Sequence, residues 1–535
     1  MALYDTTLRD GAQMRGITFS LKSKLDLVQR LDALGINYIE GGWPASNPND
    51  DEFFRKVRDL QLKNIVVTAF GSTRKARTDV EKDPSVRAIL DSGASVACIF
   101  GKAWDFHVTD ILGTTLEENL EMIRDTISYL RSNGLTVIFD AEHFFDGYMA
   151  NPRYALATVH SAADAGAEAI VLCDTNGGAL PQAVRRVVRT VCGETDRPIG
   201  IHAHNDCGMA VANSIIAVEE GASHVQGTIN GYGERCGNAD LCSIIPILKI
   251  KMGIDCVDEE ALASLTRVSL FVDDAANLRP NPVRPFTGSS AFAHKAGVHV
   301  KALLRHSEAY EHIAPERVGN ARKVLVSELS GAGNVTYKAK EYGIPVGPGF
   351  DGRAIASMLK QLEYEGYRFE EAEASFELLL RKTLGIHDDL FSLHSLRLIV
   401  DKQGPTGELL SEASVKVEVG GRIVHTVAEG NGPVNALDRA LRRALEGVYP
   451  EVADIELVDY KVRVVDETSG TAAKVRVLIE SANGRETWST VGVSTNVIEA
   501  SWRALVDSIE YGIRYARGTL QLPATGLRSD RRVVG

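Results

Sequence analysis

Residues 154–173 read YALATVHSAADAGAEAIVLC, and this stretch holds the unit from which the first half of the chain is built. Tyr154–Ala165 carries apolar side chains at helical spacing, and Gly166 stands where a left-handed turn closes such a helix. Ala169–Cys173 is then a short apolar run with the character of a buried strand. The same sequence of helix, glycine and strand recurs on both sides. β-rich runs at Ala2–Leu8, Tyr38–Gly42, Ile65–Phe70, Ser95–Phe100, Thr136–Phe139, Ala169–Cys173, Ile199–Ala203 and His224–Ile229 follow one another at about thirty-residue intervals. Helical periodicity fills the gaps, as in Lys22–Leu34, Leu116–Leu130 and Ala210–Glu220, with Gly35, Gly134 and Gly221 at the helix ends. Eight β/α alternations in about 250 residues predict a closed (β/α)8 TIM barrel, an α/β fold whose polar strand ends gather on one face. A doubly wound sheet has the same alternation, but no GxGxxG turn follows the first strand.

Beyond the barrel the pattern changes twice. Residues 261–395 hold a Pro-rich crossing (Arg279-Pro280-Asn281-Pro282), a His-rich stretch at 294–312 and helical runs at 352–364 and 370–383, which predict connector subdomains. From Leu396 strands return with an internal repeat. Thr426-Val427, the turn Gly430-Asn431-Gly432 and a helix with Arg439-Ala440-Leu441 are matched sixty-four residues later by Thr490-Val491, Ser494-Thr495-Asn496 and Arg503-Ala504-Leu505. Two strand-then-helix copies predict an α+β domain with internal duplication at 396–535, suited to binding or regulation. The catalytic chemistry is expected in the barrel, at 1–260.

Composition narrows the class of function. With 59 basic against 71 acidic residues the net charge is -12, which disfavours a coat for nucleic-acid phosphates. No apolar run approaches the roughly 18 residues of a membrane helix. The start, Met1-Ala2-Leu3-Tyr4-Asp5, has no basic n-region and is not expected to be a signal peptide. Seven cysteines without a CxxC pair suit reduced thiols in the cytoplasm.

The chemistry starts at His202-Ala203-His204-Asn205-Asp206, which closes the seventh strand. Residues two apart on a strand share a face, so both imidazoles point into the barrel mouth and begin a divalent-metal site. Asp10, after the first strand, is the hard-oxygen partner, and Asn238, after the eighth, can add an amide oxygen. Arg9, beside the acid, is placed to donate hydrogen bonds to an oxygen that gains charge.

These residues carry a resemblance. Leu8-Arg9-Asp10-Gly11-Ala12-Gln13, followed after ten residues by Lys24, resembles the first signature of the isopropylmalate, homocitrate and citramalate synthases. Ile199 with His202-Ala203-His204-Asn205-Asp206-Cys207-Gly208 resembles the second, and Gly233-Glu234-Arg235-Cys236-Gly237-Asn238-Ala239 a third. The resemblance spans the chain and implies a metal-dependent Claisen condensation of acetyl-CoA with a small 2-oxo acid. It implies a divalent ion (Mn2+, Mg2+, Zn2+ or Co2+) at Asp10, His202, His204 and Asn238, and substrate contacts from Arg9, Gln13 and Thr175. For the proton abstraction it offers two residues and leaves the choice open. One is Glu142, in Phe139-Asp140-Ala141-Glu142; the other is His299, ending His294-Lys295-Ala296-Gly297-Val298-His299, with Tyr310 as its companion. A His–Glu relay is equally compatible. The subdomain bearing His299 is expected to reach over a neighbouring barrel in a homodimer.

Two features depart from the family pattern: Lys301 stands where an acid is usual, and Asp140 where some pyruvate-specific relatives place an aromatic wall. Gly41-Gly42-Trp43-Pro44 and the stretch Phe139–Tyr148 look most like the citramalate branch, which uses pyruvate, with 2-isopropylmalate synthase on 2-oxoisovalerate as the alternative. The resemblance further implies an amino-acid effector for the duplicated domain, isoleucine in the first case and leucine in the second. A lyase of the hydroxymethylglutaryl-CoA type shares the Arg-Asp and HxH pattern but has no need of residues 396–520.

Overall fold

A computed structural model of the chain describes residues 1–520 except 403, 406, 466 and 485. Eight parallel strands close on themselves: β1 (Ala2–Asp5), β2 (Tyr38–Gly42), β3 (Val66–Ser72), β4 (Val96–Lys102), β5 (Thr136–Glu142), β6 (Ala169–Asp174), β7 (Ile199–Ala203) and β8 (His224–Gly227). The seam pairs β1 with β8 from Ala2↔His224 to Asp5↔Gly227. Local chemistry sets the helix ends between them. The helix Pro152–Ala165 begins where the Asn151 side chain accepts the Tyr154 N–H, with Pro152 in the first turn, and ends at Gly166 with φ 91°. Its Ala155, Val159 and Ala162 are fully buried and share one core with Ile170, Leu172 and Ile201 of the strands.

The structure moves several expected boundaries, and three of the moves matter at the strand ends. β1 stops at Asp5 rather than Leu8, because the Asp5 carboxylate accepts both the Thr7 N–H (3.0 Å) and the Thr7 hydroxyl (2.7 Å) and turns the chain. Arg9 and Asp10 therefore lie in a turn above the strand. β8 stops at Gly227, whose carbonyl accepts the Thr6 N–H at 2.8 Å. β5 runs on past Phe139 to Glu142, in register with β4 through Lys102↔Glu142.

The chain divides into two compact units, residues 1–292 with 313–320, and residues 293–312 with 321 onward. The second unit opens with the short parallel pair β9 (Ala293–His294) and β10 (Lys323–Val324). Helices Ala332–Glu341, Gly352–Tyr364 and Glu373–Thr383 then bury Val335, Leu359 and Phe376 together. Two antiparallel three-stranded sheets follow. One is β11 (Phe391–Lys402), β12 (Leu409–Val419) and β13 (Arg422–Gly430), leading into helix Pro433–Leu445. The other is β14 (Glu456–Val464), β15 (Val475–Ala482) and β16 (Thr487–Ser494), leading into helix Val497–Ala516. The duplication extends to single hydrogen bonds. Thr426 Oγ1 donates to the Ala440 carbonyl and Thr490 Oγ1 to that of Ala504, both at 2.7 Å. Arg439 likewise donates to the Glu429 carbonyl and Arg503 to that of Val493. Of the domain expected at 396–535, residues 521–535 lie outside the described residues. No described helix is long and apolar enough to cross a membrane.

Candidate active site

His202 is in register with Gln226 of β8 and Cys173 of β6, so its imidazole sits at the mouth of the barrel. His204, two residues on, turns its ring to the same side. His202 Nε2 lies 3.3 Å from His204 Nε2 and 3.3 Å from Asp10 Oδ2, and His204 Nε2 lies 3.9 Å from the same oxygen. All three residues are buried, and their donor atoms lie within 4.8 Å of one another. Asn238 is bridged to His204 through the backbone; both its amide atoms and His204 Nδ1 are buried without a hydrogen-bond partner. Two ring nitrogens and a carboxylate oxygen converging on one point, with an unpartnered amide beside them, fit a divalent cation.

The turn that carries Asn238 depends on a glycine. Gly237 has φ 88°, and a Cβ there would collide with the Gly231 carbonyl, while its own carbonyl accepts the Asn205 N–H at 2.8 Å.

Charge around the cluster is ordered. Burial disfavours an ionised Asp10, but Arg9 and the two imidazoles outweigh it and hold the carboxyl well below the usual range. Burial likewise opposes charge on His202, yet its contact with Asp10 raises its pKa. His204 is pushed down to about 3, by burial first and by the neighbouring His202 ring second. Arg9 is largely enclosed; Glu40 and Asp10 beside it keep it charged, with its pKa raised. Its Nε donates to Glu40 Oε2 at 2.6 Å, and its guanidinium lies 3.8 Å over the Phe70 ring.

Behind the donors is a buried relay. His202 Nδ1 meets Gln226 Oε1 at 2.8 Å, and Gln226 Nε2 donates to Asp140 Oδ1 at 3.0 Å. An amide oxygen only accepts, so the His202 proton sits on Nδ1 and Nε2 presents its lone pair to the cluster. Tyr4 donates to Glu40 Oε1 at 3.2 Å from below.

In front of the donors a cavity of about 230 Å³ is lined by Arg9, Asp10, Gln13, Glu142, Thr175, His202 and His204. One wall is aromatic: Trp43 meets Phe70 and Phe100 edge-on at 5.5 and 5.7 Å, and Phe70 stacks on Phe100 at 5.4 Å. Glu142 pairs with Lys102 across the β4–β5 boundary. His143 adopts a left-handed conformation (φ 56°) whose N–H donates to Thr175 Oγ1 at 2.9 Å. The barrel thus gathers seven of the expected residues around one cavity and holds Asn238 at its edge. His299 and Tyr310 belong to the second unit, where their rings stack at 4.1 Å.

Glu40, Gln226, Lys102 and the aromatic wall escape a reading of motifs alone. Glu40 carried a usable signal, an acid inside the apolar run Tyr38–Gly42. Gln226 and Lys102 sit in strands with no neighbouring signature.

Comparison with known proteins matches three successive segments of the chain. Residues 1–272 match the family described as HMGL-like, residues 286–366 the homocitrate synthase post-HMGL domain-like family, and residues 370–513 the LeuA allosteric (dimerisation) domain. The chain is 52% identical over 514 residues to the (R)-citramalate synthase of Geobacter sulfurreducens, covering 95% of this chain and 97% of that protein. It is 53% identical over 524 residues to the (R)-citramalate synthase of Synechocystis sp., covering 96% of each. With the 2-isopropylmalate synthase of Methanocaldococcus jannaschii it shares 30% over 513 residues, 95% of this chain and 93% of that protein.

Proposed function

We propose that this chain, which belongs to the (R)-citramalate synthase family of HMGL-like proteins, joins the methyl carbon of acetyl-CoA to the keto carbon of pyruvate, water then releasing citramalate and CoA. It is an acyltransferase that converts the acyl group into alkyl on transfer. The observation that carries this is the convergence of Asp10, His202 and His204 beside Arg9, in a cavity with one aromatic wall.

A divalent ion (Mn2+, Mg2+, Zn2+ or Co2+) bound by Asp10, His202 and His204, with Asn238 beside them, supplies Lewis acidity toward the oxygens of the 2-oxo acid. Arg9, kept charged by Glu40 and Asp10, donates to the oxygen that becomes an alkoxide as the carbon–carbon bond forms. Thr175 accepts from the His143 N–H and so keeps its own proton for the substrate carboxylate. Gln13 lines the same cavity and is a further substrate contact. Glu142 faces the cavity as a base for the methyl proton; His299 with Tyr310 is the second candidate pair. The wall of Trp43, Phe70 and Phe100 takes the place of an aromatic at Asp140 and favours the methyl of pyruvate over the isopropyl group of 2-oxoisovalerate.

The match to a dimerisation domain supports a homodimer, and the duplicated sheets support feedback by isoleucine; calorimetric titration with no heat from isoleucine or leucine would remove that part. Seven free cysteines suit a cytoplasmic setting. The decisive experiment is CoA release, followed with a thiol reagent, from acetyl-CoA, a divalent metal and either oxo acid. Release with pyruvate is expected. Release mainly with 2-oxoisovalerate would move the protein to the isopropylmalate reaction, and no release would overturn the condensation.

A further inference from the structure

Glu142, which lines the cavity, is ion-paired with Lys102, a residue outside the cavity lining to which the chemistry above gives no task. Lys102 and Glu142 are the last residues of β4 and β5 and lie directly opposite each other in register. Cross-strand neighbours in a parallel sheet project to the same side, so the Lys102 ammonium meets Glu142 Oε2. Both side chains are largely enclosed, at 17% and 22% exposure. The backbone beneath them is tied down. The Lys102 carbonyl accepts from Asn119 Nδ2 at 2.8 Å, and the Glu142 carbonyl accepts the Ala103 N–H at 3.1 Å. The ammonium also lies 5.5 Å from the centroid of the Phe100 ring, part of the wall that lines the substrate cavity.

We infer that Lys102 is a further catalytic residue, the cation that receives the charge of the acetyl-CoA enolate when Glu142 removes the methyl proton. The inference rests on the condensation proposed above and commits it to Glu142 as the base. In the step, the methyl C–H bond breaks and its proton goes to Glu142. The C–H electron pair forms the enolate C=C bond, and the carbonyl π pair moves onto the thioester oxygen. Lys102 stays protonated and shifts from its ion pair with Glu142 Oε2 to a hydrogen bond with that oxygen. When the enolate carbon attacks the keto carbon, the thioester carbonyl re-forms and no charge is left on its oxygen.

Two physical points favour this assignment. The methyl carbon and carbonyl oxygen of an acetyl group are only about 2.4 Å apart, from standard bond lengths. A base and a cation in contact with each other can therefore serve both ends of the same group. The second point is charge. Lys102 and Glu142 together are neutral before the step, and Lys102 with the enolate is neutral after it. Without the ammonium, the negative charge would pass from Glu142 to the enolate beside an aromatic wall with no cation following it, and developing charge in such an enclosed site is costly.

The test compares the wild type, Lys102→Met and Lys102→Arg, each loaded with Mn2+. CoA release gives kcat and KM, and calorimetry gives pyruvate binding. Methionine keeps the length and apolar stem. Loss of one oxyanion donor lowers kcat about 100-fold or more, so Lys102→Met should do so with both KM values within about threefold of wild type. Lys102→Arg should recover part of the rate. Pyruvate binding should be unchanged in both, which shows that the fold and donor cluster are intact. Turnover by Lys102→Met at or above one third of the wild-type rate would overturn the assignment, as expected if His299 is the base. Loss of pyruvate binding together with turnover would also overturn it, making Lys102 structural. No CoA release by the wild type would instead remove the condensation itself.

Discussion

Gln226 offers the sharpest test of how the donor cluster is held. It is fully buried, and its two ends satisfy two buried polar groups, His202 Nδ1 at 2.8 Å and Asp140 Oδ1 at 3.0 Å. Gln226→Leu is close in volume, so the change is one of hydrogen bonding rather than packing. Each buried polar group left without a partner costs about 1–3 kcal/mol, so two cost about 2–6 kcal/mol. That is a large part of the 5–15 kcal/mol by which a typical domain is stable. The second effect is on the metal. Without the amide oxygen, nothing fixes the His202 proton on Nδ1, and loss of such a supporting contact lowers metal affinity about 10–100-fold. Urea unfolding of the metal-free protein measures the first effect, and Mn2+ titration by calorimetry the second. The double variant Gln226→Leu/Asp140→Leu should regain part of the stability, because the carboxylate is then no longer buried alone. Unfolding within about 0.5 kcal/mol of wild type, together with unchanged Mn2+ affinity, would refute the relay.

Three other outcomes are expected. Asp10→Ala should abolish Mn2+ binding and CoA release together while leaving the fold intact, since Asp10 is the one carboxylate in the buried cluster; CoA release at the wild-type rate would remove the cluster from the mechanism. Phe100→Ala opens the aromatic wall, and with each methylene worth about 1–3 kcal/mol it should raise the rate with 2-oxoisovalerate relative to pyruvate at least about 10-fold. The third concerns Asp507, whose carboxyl burial pushes up to about 6 despite the Ser375 hydroxyl that donates to it at 2.7 Å. The folded state then keeps a proton that the unfolded state, with a pKa near 3.9, has lost. Asp507 therefore makes stability fall as pH rises from about 4 to 6, by up to about 3 kcal/mol, and adds no further change above that window. Asp507→Asn removes this contribution, so urea unfolding at pH 4.5 and 6.5 should show the variant gaining on the wild type as pH rises.

The barrel was legible in the chain because its cause is local. A helix that must end at Gly166 and a strand that must be buried at Ala169–Cys173 repeat with a spacing that one closed sheet accommodates. The HxH pair was legible for the same reason: strand geometry alone sends His202 and His204 to one side. The duplication was visible as Thr426 and Thr490, and it survives as the same hydrogen bond made twice.

What tertiary structure decided is everything that depends on which strand lies beside which, and in what register. No rule of sequence spacing sets Lys102 against Glu142, forty residues apart; the β4–β5 register does. The same holds for Gln226 behind His202, for Glu40 against Arg9, and for a wall drawn from Trp43, Phe70 and Phe100 on three successive strand ends. Strand ends moved for a related reason. The run Ala2–Leu8 has the composition of one strand, but the Asp5 carboxylate captures Thr7 and bends the chain, which lifts Arg9 and Asp10 over the barrel mouth. Propensity and periodicity are sums over neighbours in the chain. Burial, register and charge pairing are sums over neighbours in space, and they exist only once the barrel has closed.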